Sequence, residues 1–129
     1  MANMSDEEYY KLSEHIFNLD SGVRFVTILG SQGQILYGGN KQGIKNYLDP
    51  HDQKLSAEHI LRSWKLRKEF ENAIGKSKYA MAQYEKIRRY TVPIDQDNLL
   101  FITTEPELSN HSFIDDALEL IKTFKEASA

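Results

Sequence analysis

Cysteine is absent from this 129-residue sequence. Without thiols, the chain can form no disulfide, thiolate nucleophile, iron–sulfur cluster or cysteine-based zinc site. Long apolar runs are also lacking, since no stretch approaches the roughly 20 residues that a membrane-spanning helix needs. The first eight residues are acidic, whereas a secretory signal begins with basic residues. We therefore expect a cytoplasmic location and no membrane partner.

The sequence also has no large excess of charge of one sign. It contains 16 Lys and Arg residues and 19 Asp and Glu residues, which gives a net charge of −3. The charges are unevenly distributed: both ends of the chain are acidic and residues 23–94 are basic. With 40% hydrophobic and 11% aromatic residues, the chain has enough apolar material for a core. At this length we expect a single domain over residues 1–129, with its core in about 5–126.

Hydrophobic periodicity predicts an α/β (α+β) domain with elements in the order αββαβββα. Most neighbouring strands are joined by short loops, so we expect a five-stranded, mainly antiparallel sheet flanked by helices. The connector before the second helix is predicted to hold a helical turn within residues 44–48. The second helix has two candidate starts, Asp49-Pro50 and Ser56. The predicted helices cover about 5–19, 49 or 56 to 74, and 112–125, and the strands 23–29, 34–37, 78–84, 87–94 and 99–104.

Residues that alternate in strands or recur at helical spacing are predicted to form the core. These residues are Phe25, Ile28, Ile35, Tyr37, Ile60, Met81, Val92, Leu100, Ile102, Leu118 and Ile121.

The second helix has an apolar surface far wider than the stripe of an ordinary surface helix. One face of this helix must cover the sheet, and the remaining apolar surface predicts a partner, most simply a second copy of the chain. The large residues concerned are Trp64, Leu66 and Phe70, and we expect at least one of them to face a second chain.

Polar residues on the same helix allow the hypothesis of a catalytic or anion-binding site. His59, Ser63 and Arg67 recur at spacings of four and therefore share one side of the helix. A nucleophilic serine also needs an oxyanion hole and a group that orients its base, and the sequence indicates neither. We therefore predict no enzyme activity, no catalytic residue, no cofactor and no metal site.

Basic and aromatic residues around 84–90 allow a nucleic-acid hypothesis, which the isoelectric point of about 5.8 disfavours. The residues concerned are Tyr84, Lys86, Arg88, Arg89 and Tyr90.

The hairpin sequence VRFVTILGSQGQILYGG, the long second helix and the last strand LLFITT resemble the roadblock/dynein light chain family of the profilin-like and longin-like folds. They are also similar to small archaeal proteins with this layout. The resemblance covers about residues 5–126. It implies a non-catalytic dimer that pairs its central helices and third strands into one continuous sheet, and that acts as a scaffold or a regulator of small Ras-like GTPases.

On this chain, the resemblance places the dimer surface on residues 55–74 and 78–84, where the wide apolar face also lies. The implied function is a homodimeric interaction module in signalling, with a small GTPase as a further partner. The predicted interface residues are His59, Ser63, Trp64, Leu66, Arg67, Phe70, Tyr79 and Met81.

A sensor domain of the PAS or cache type is the alternative, because such domains bind a small molecule between a helix and an antiparallel sheet. We expect a sensor to contain a cavity of roughly 300 Å³ or more. A roadblock core is instead expected to be filled by its own side chains.

Overall fold

A computed structural model describes residues 4–95 and 97–128 of the protein. A five-stranded antiparallel sheet has the order β2-β1-β5-β4-β3 and is flanked by helices, which confirms the predicted fold class. The order of the elements is as predicted, with one additional short helix after α2. The elements are α1 (Asp6–Phe17), β1 (Val23–Leu29), β2 (Ile35–Asn40), α2 (Pro50–Lys68), α3 (Glu71–Ile74), β3 (Ala80–Gln83), β4 (Arg88–Asp95), β5 (Asn98–Thr104) and α4 (Phe113–Ser128).

Side-chain caps determine where the first two long helices begin. At α1, the Ser5 hydroxyl accepts a hydrogen bond from the Glu8 amide at 3.2 Å, and the Glu8 carboxylate accepts one from the Ser5 amide at 3.0 Å. At α2, the Asp49 carboxylate accepts a bond from the Asp52 amide at 2.8 Å, and Pro50 occupies the first turn. Asp49 is therefore the N-cap, and Ser56 lies inside the helix.

Helix α2 is shorter than predicted, because it ends at Lys68 and the chain turns through Glu69 and Phe70 into α3. Gly75 ends α3 with a φ of 89°, a backbone conformation that glycine adopts without strain. The predicted helical turn within residues 44–48 is not found in this described segment.

The first hairpin joins β1 to β2 through a turn in which Gly33 has a φ of 83°. Strand β2 is longer than predicted, because Gly38 and Gly39 pair with Thr27 and Val26 instead of ending the strand. The hairpin loop also packs against α2. Gly33 lies so close to Leu61 that a Cβ atom added to this glycine would be only 3.0 Å from the Leu61 Cδ1 atom.

The sheet separates two apolar layers, because alternate strand residues point to opposite faces. Helices α1 and α4 cover one face, where Val26, Val92 and Ile102 belong to the larger core cluster. Helix α2 covers the other face with a much smaller cluster, made of Leu29, Ile60, Trp64 and Leu99.

Six of the predicted core residues are buried, namely Ile28, Ile60, Val92, Leu100, Ile102 and Ile121. Phe25, Tyr37 and Leu118 are partly buried. The prediction was wrong for Ile35 and Met81, which are 68% and 49% exposed. Both lie on edge strands, where only one side of the strand is covered by a neighbour.

A polar network connects α1 to the β4–β5 hairpin. The Tyr9 hydroxyl donates to the Asp95 carboxylate at 2.9 Å and accepts from the Asn98 side-chain amide at 3.1 Å. Burial and the neighbouring Asp95 carboxylate raise the pKa of Tyr9 to about 12. The network therefore holds Tyr9 in its neutral form over the whole physiological range.

A second network fixes the loop after α1. Burial of the Asp20 carboxyl opposes its ionisation, but the Asn110 and Gly22 amides donate to it at 2.7 Å each. These donors outweigh the effect of burial and hold the pKa of Asp20 below its ordinary value.

Candidate interface and adjoining cavity

The exposed apolar residues at the end of α2 and in α3 form the first candidate functional surface. Leu66, Phe70 and Ile74 are spaced four residues apart and are all exposed. Phe70 follows α2 directly and Ile74 lies in α3. We call this set the α2–α3 patch. Since exposed apolar groups in clusters indicate a binding surface, this patch is a candidate interface.

Trp64 does not belong to this exposed surface, although we predicted it there. Its side chain is only 6% exposed and packs with Leu29, Ile60 and Leu99 between α2 and the sheet. The Arg67 guanidinium lies 5.8 Å from the centre of the Trp64 ring. Trp64 therefore belongs to the core of the chain, and Phe70 is the large aromatic residue that stays exposed.

Strand β3 forms one edge of the sheet. Ala80 packs with the α2 cluster, whereas Met81 pairs with Tyr90 and lies on the opposite face, as Tyr79 does. The structure thus brings the predicted residues Tyr79 and Met81 to the edge strand but not to the face that carries α2.

His59 and Ser63 are neighbours on α2, with 3.5 Å between the His59 Nε2 and Ser63 Oγ atoms. That distance is at the outer limit of a hydrogen bond. Within the described part of the chain, no carboxylate forms a salt bridge with His59. The pair consequently lacks the orienting group that a nucleophilic serine requires.

The two arginines of the nucleic-acid hypothesis do not form one basic surface. Arg88 donates to the Gln83 side chain at 2.6 Å and to the Pro106 carbonyl at 2.9 Å. Arg89, the next residue of the strand, faces α2 and donates to the Ser56 hydroxyl. The two side chains lie on opposite faces of the sheet and both are partly buried, so they do not form one continuous basic surface.

A cavity of about 730 Å³ lies between the N-terminal half of α2, the connector that precedes it and the sheet. Its walls come from strands β1, β2, β4 and β5, from the segment 46–60 and from the turn at residues 84–87. A space between a helix and the sheet was the expectation for the sensor alternative, whereas the polar residues Arg24, Tyr47 and Ser56 that line it were not predicted. The sequence holds one indication of a polar site here, because Arg24 is a cation inside the otherwise uncharged strand sequence VRFVTIL.

The α2–α3 patch and the cavity lie at opposite ends of α2. The patch begins at Leu66, whereas the part of α2 that lines the cavity ends at Ile60.

Solved structures with the same fold define the class of this protein. A roadblock/LC7 domain from Streptomyces avermitilis has a TM-score of 0.68 at 11% identity, over 91% of this chain and 94% of that chain. The gliding protein MglB from Thermus thermophilus has a TM-score of 0.68 at 15% identity, over 98% and 95%. Myxococcus xanthus MglB has a TM-score of 0.68 at 12% identity, over 96% and 99%. The chain thus has the roadblock/LC7 fold that its sequence resembles.

The family itself is shown by a sequence model that matches residues 1–126. The chain belongs to the family of unknown function DUF6659. No curated protein matches the chain. In the described part of the chain, no helix is both long enough and apolar enough to cross a membrane.

Proposed function

We propose that this protein is a homodimeric, non-catalytic regulatory module that binds a small Ras-like GTPase in signalling. The single observation that supports dimerisation most strongly is the α2–α3 patch, which leaves Leu66, Phe70 and Ile74 exposed in the isolated chain. Burial of such side chains contributes about 1.5–3 kcal/mol each when it is complete. A second copy of the same patch, placed around a two-fold axis, would cover these groups without another gene product.

The free edge of the sheet supports the same arrangement. Strand β3 is hydrogen-bonded on one side only, by β4. An edge strand of this kind pairs readily with another chain. One solved structure with this fold, at 14% identity and a TM-score of 0.68, is described as MglB with a tetrameric arrangement. For this chain we propose contact through His59, Ser63, Leu66, Arg67 and Phe70, with Tyr79 and Met81 at the strand edge.

Sedimentation velocity of two charge variants tests the dimer. Phe70→Glu and Tyr10→Glu form a matched pair, because both aromatic side chains are 53% exposed, Tyr10 lies on α1, and Phe70 lies in the turn between α2 and α3. We expect the wild type and Tyr10→Glu to sediment as dimers at tens of micromolar, and Phe70→Glu to sediment as a folded monomer. Dimers of both variants, or a monomeric wild type, would contradict the proposal.

Binding of a GTPase is tested separately. The immobilised protein is incubated with cytoplasm from its source, once with GTP and once with GDP, and the bound proteins are identified by mass spectrometry. We expect a Ras-like GTPase whose retention depends on the nucleotide and is lost with Phe70→Glu but not with Tyr10→Glu. If the protein is dimeric yet retains no GTPase under either condition, the regulatory part of the proposal is wrong and the dimer stands.

A further inference from the structure

The cavity beside α2 has a mostly apolar wall, which suits the body of a small organic molecule. Its volume of about 730 Å³ lies within the range of small-molecule sites, roughly 300–1,000 Å³. The space is a cleft that is partly open to solvent, so it does not contradict the expectation that a roadblock core is filled by its own side chains. Aromatic and aliphatic side chains from three strands, the connector and α2 form the wall, namely Phe25, Leu29, Ile35, Leu48, Ile60 and Phe101.

The charged residues of the cavity are mostly positive. Arg24, Lys54, Lys86 and Arg89 line it, and among the described lining residues Glu85 is the one carboxylate. This excess of cations in a low-dielectric cleft attracts anions. The ligand that fits both the wall and the charges is therefore an apolar anion.

Arg89 is the partly buried cation of the cavity that has no counter-ion among the described residues. Lys54 and Lys86 have none there either, but both of these side chains are exposed. In the described part of the chain, no carboxylate lies within 4.0 Å of the Arg89 guanidinium. Its Cζ atom is 4.9 Å from the centre of the Phe101 ring and 5.7 Å from that of Tyr84. These rings hold the guanidinium in place through cation–π contacts, but they do not neutralise it.

The free donors of Arg89 match a carboxylate. Its Nε atom is buried and makes no hydrogen bond. Its Nη2 atom, which carries two hydrogens, donates one bond to the Ser56 hydroxyl. The guanidinium therefore keeps N–H donors that no other protein group is shown to use, and a guanidinium binds a carboxylate through charge-assisted hydrogen bonds.

Arg24 lines the same cavity, but its charge is already neutralised by a carboxylate of the protein. Its Nη1 atom donates to the Glu105 carboxylate at 3.1 Å, and its Nη2 atom donates to the Lys45 carbonyl at 2.7 Å. Arg24 therefore has an internal counter-ion, and Arg89 is the residue to which an added anion would bind.

We propose that this cavity binds an amphipathic monocarboxylate, with its carboxylate on the Arg89 guanidinium and its apolar body against Phe101, Leu29 and Ile60. The site is separate from the α2–α3 patch. A bound ligand would contact the segment before α2, the N-terminal half of α2 and the sheet at the same time. Its binding does not require the protein to be a dimer or to bind a GTPase.

Isothermal titration with octanoate tests the proposal at pH 7, where a carboxyl group is ionised. Octanol is the neutral control ligand. Arg89→Met removes the cation and keeps the length of the side chain, whereas Arg62→Met makes the same charge change on an exposed residue of α2. We expect octanoate to bind the wild type and Arg62→Met equally, and to bind Arg89→Met at least about tenfold more weakly, which corresponds to 1.4 kcal/mol. Octanol should bind the wild type at least about tenfold more weakly than octanoate does.

A second variant keeps the test decisive if Arg89→Met does not fold. Ala57 lies on α2 in the cavity wall, so Ala57→Phe places a ring in the cavity and leaves every charged group in place. We expect Ala57→Phe to fold, as judged by circular dichroism, and to lose octanoate binding. The proposal is overturned if octanoate does not bind the wild type at millimolar concentration, if octanol binds as tightly, or if a folded Arg89→Met or Ala57→Phe variant binds octanoate as the wild type does.

Discussion

Trp64 and Phe70 are six residues apart, and the structure predicts opposite consequences when each is replaced. Trp64 is 6% exposed and provides much of the contact between α2 and the sheet, with Ile60, Leu29 and Leu99. Truncation of a buried tryptophan to alanine costs about 3–5 kcal/mol, and a buried unpaired carboxylate costs more. The whole stability of a domain this size is about 5–15 kcal/mol. Trp64→Glu is therefore expected to detach α2 or to unfold the protein.

Phe70 is 53% exposed in the isolated chain, so Phe70→Glu should change the stability of the monomer by no more than about 0.5 kcal/mol. Urea unfolding followed by circular dichroism measures both effects, and it should be done at low micromolar concentration, because a dimer is additionally stabilised by mass action. The reasoning is refuted if Trp64→Glu unfolds at the same urea concentration as the wild type. It is equally refuted if Phe70→Glu loses as much stability as Trp64→Glu.

Three further predictions concern the core and its polar networks. Ile102 is fully buried in the central strand β5, so Ile102→Ala should lower the free energy of unfolding by about 2–5 kcal/mol; a loss below about 1 kcal/mol in urea would show that the strand is not central. Tyr9 has a pKa of about 12, against an ordinary value of 10.0, so its stabilising neutral state is fully present below pH 10 and is lost as the pH rises to about 12. The wild type should therefore show one more late-ionising tyrosine than Tyr9→Phe in an ultraviolet titration, and identical titration curves would refute this. Asp20 has a lowered pKa, so its contribution is present above its ordinary value of 3.8 and is lost as the pH falls further; Asp20→Asn should be less stable at pH 7, by about 1.5–3 kcal/mol, with a flatter acid limb in urea melts at pH 2–5. An equally steep acid limb would contradict the role of Asp20.

Strand β1 was predicted with its observed boundaries because local signals agree there. Its residues, from Val23 to Leu29, are mostly β-branched or aromatic, and glycines lie on both sides. The first helix was found for the same reason, since the capping box at Ser5 and Glu8 is a local pattern that does not depend on the rest of the chain. Elements specified by nearby residues were therefore predictable from the sequence.

Burial depends on distant parts of the chain and was less predictable. Alternation shows that Ile35 and Met81 share a face with other apolar residues, but it does not show that β2 and β3 are the edges of the sheet. The periodicity of α2 showed two apolar surfaces without showing which one faces the sheet. Packing decided this, placing Trp64 inside and Leu66 outside.

Whether the cavity exists could not be decided from the sequence, because it depends on the spacing between α2 and the sheet. Arg89 belongs to a strand that looked like a basic surface, and its contact with Ser56 spans 33 positions of the chain. Only the folded structure shows that this cation faces an apolar wall without a counter-ion.

Covalent cross-linking tests the central claim, dimerisation through the α2–α3 patch, most directly. The chain has no cysteine, so each of two variants, Ala73→Cys and Tyr10→Cys, carries a single thiol that a short bis-maleimide can join. Ala73 is exposed beside Ile74, so Ala73→Cys keeps every residue of the α2–α3 patch. The account predicts a covalent dimer for Ala73→Cys at tens of micromolar and almost none for Tyr10→Cys, which lies on α1. Equal yields from the two variants, or a dimer from Tyr10→Cys alone, would contradict it.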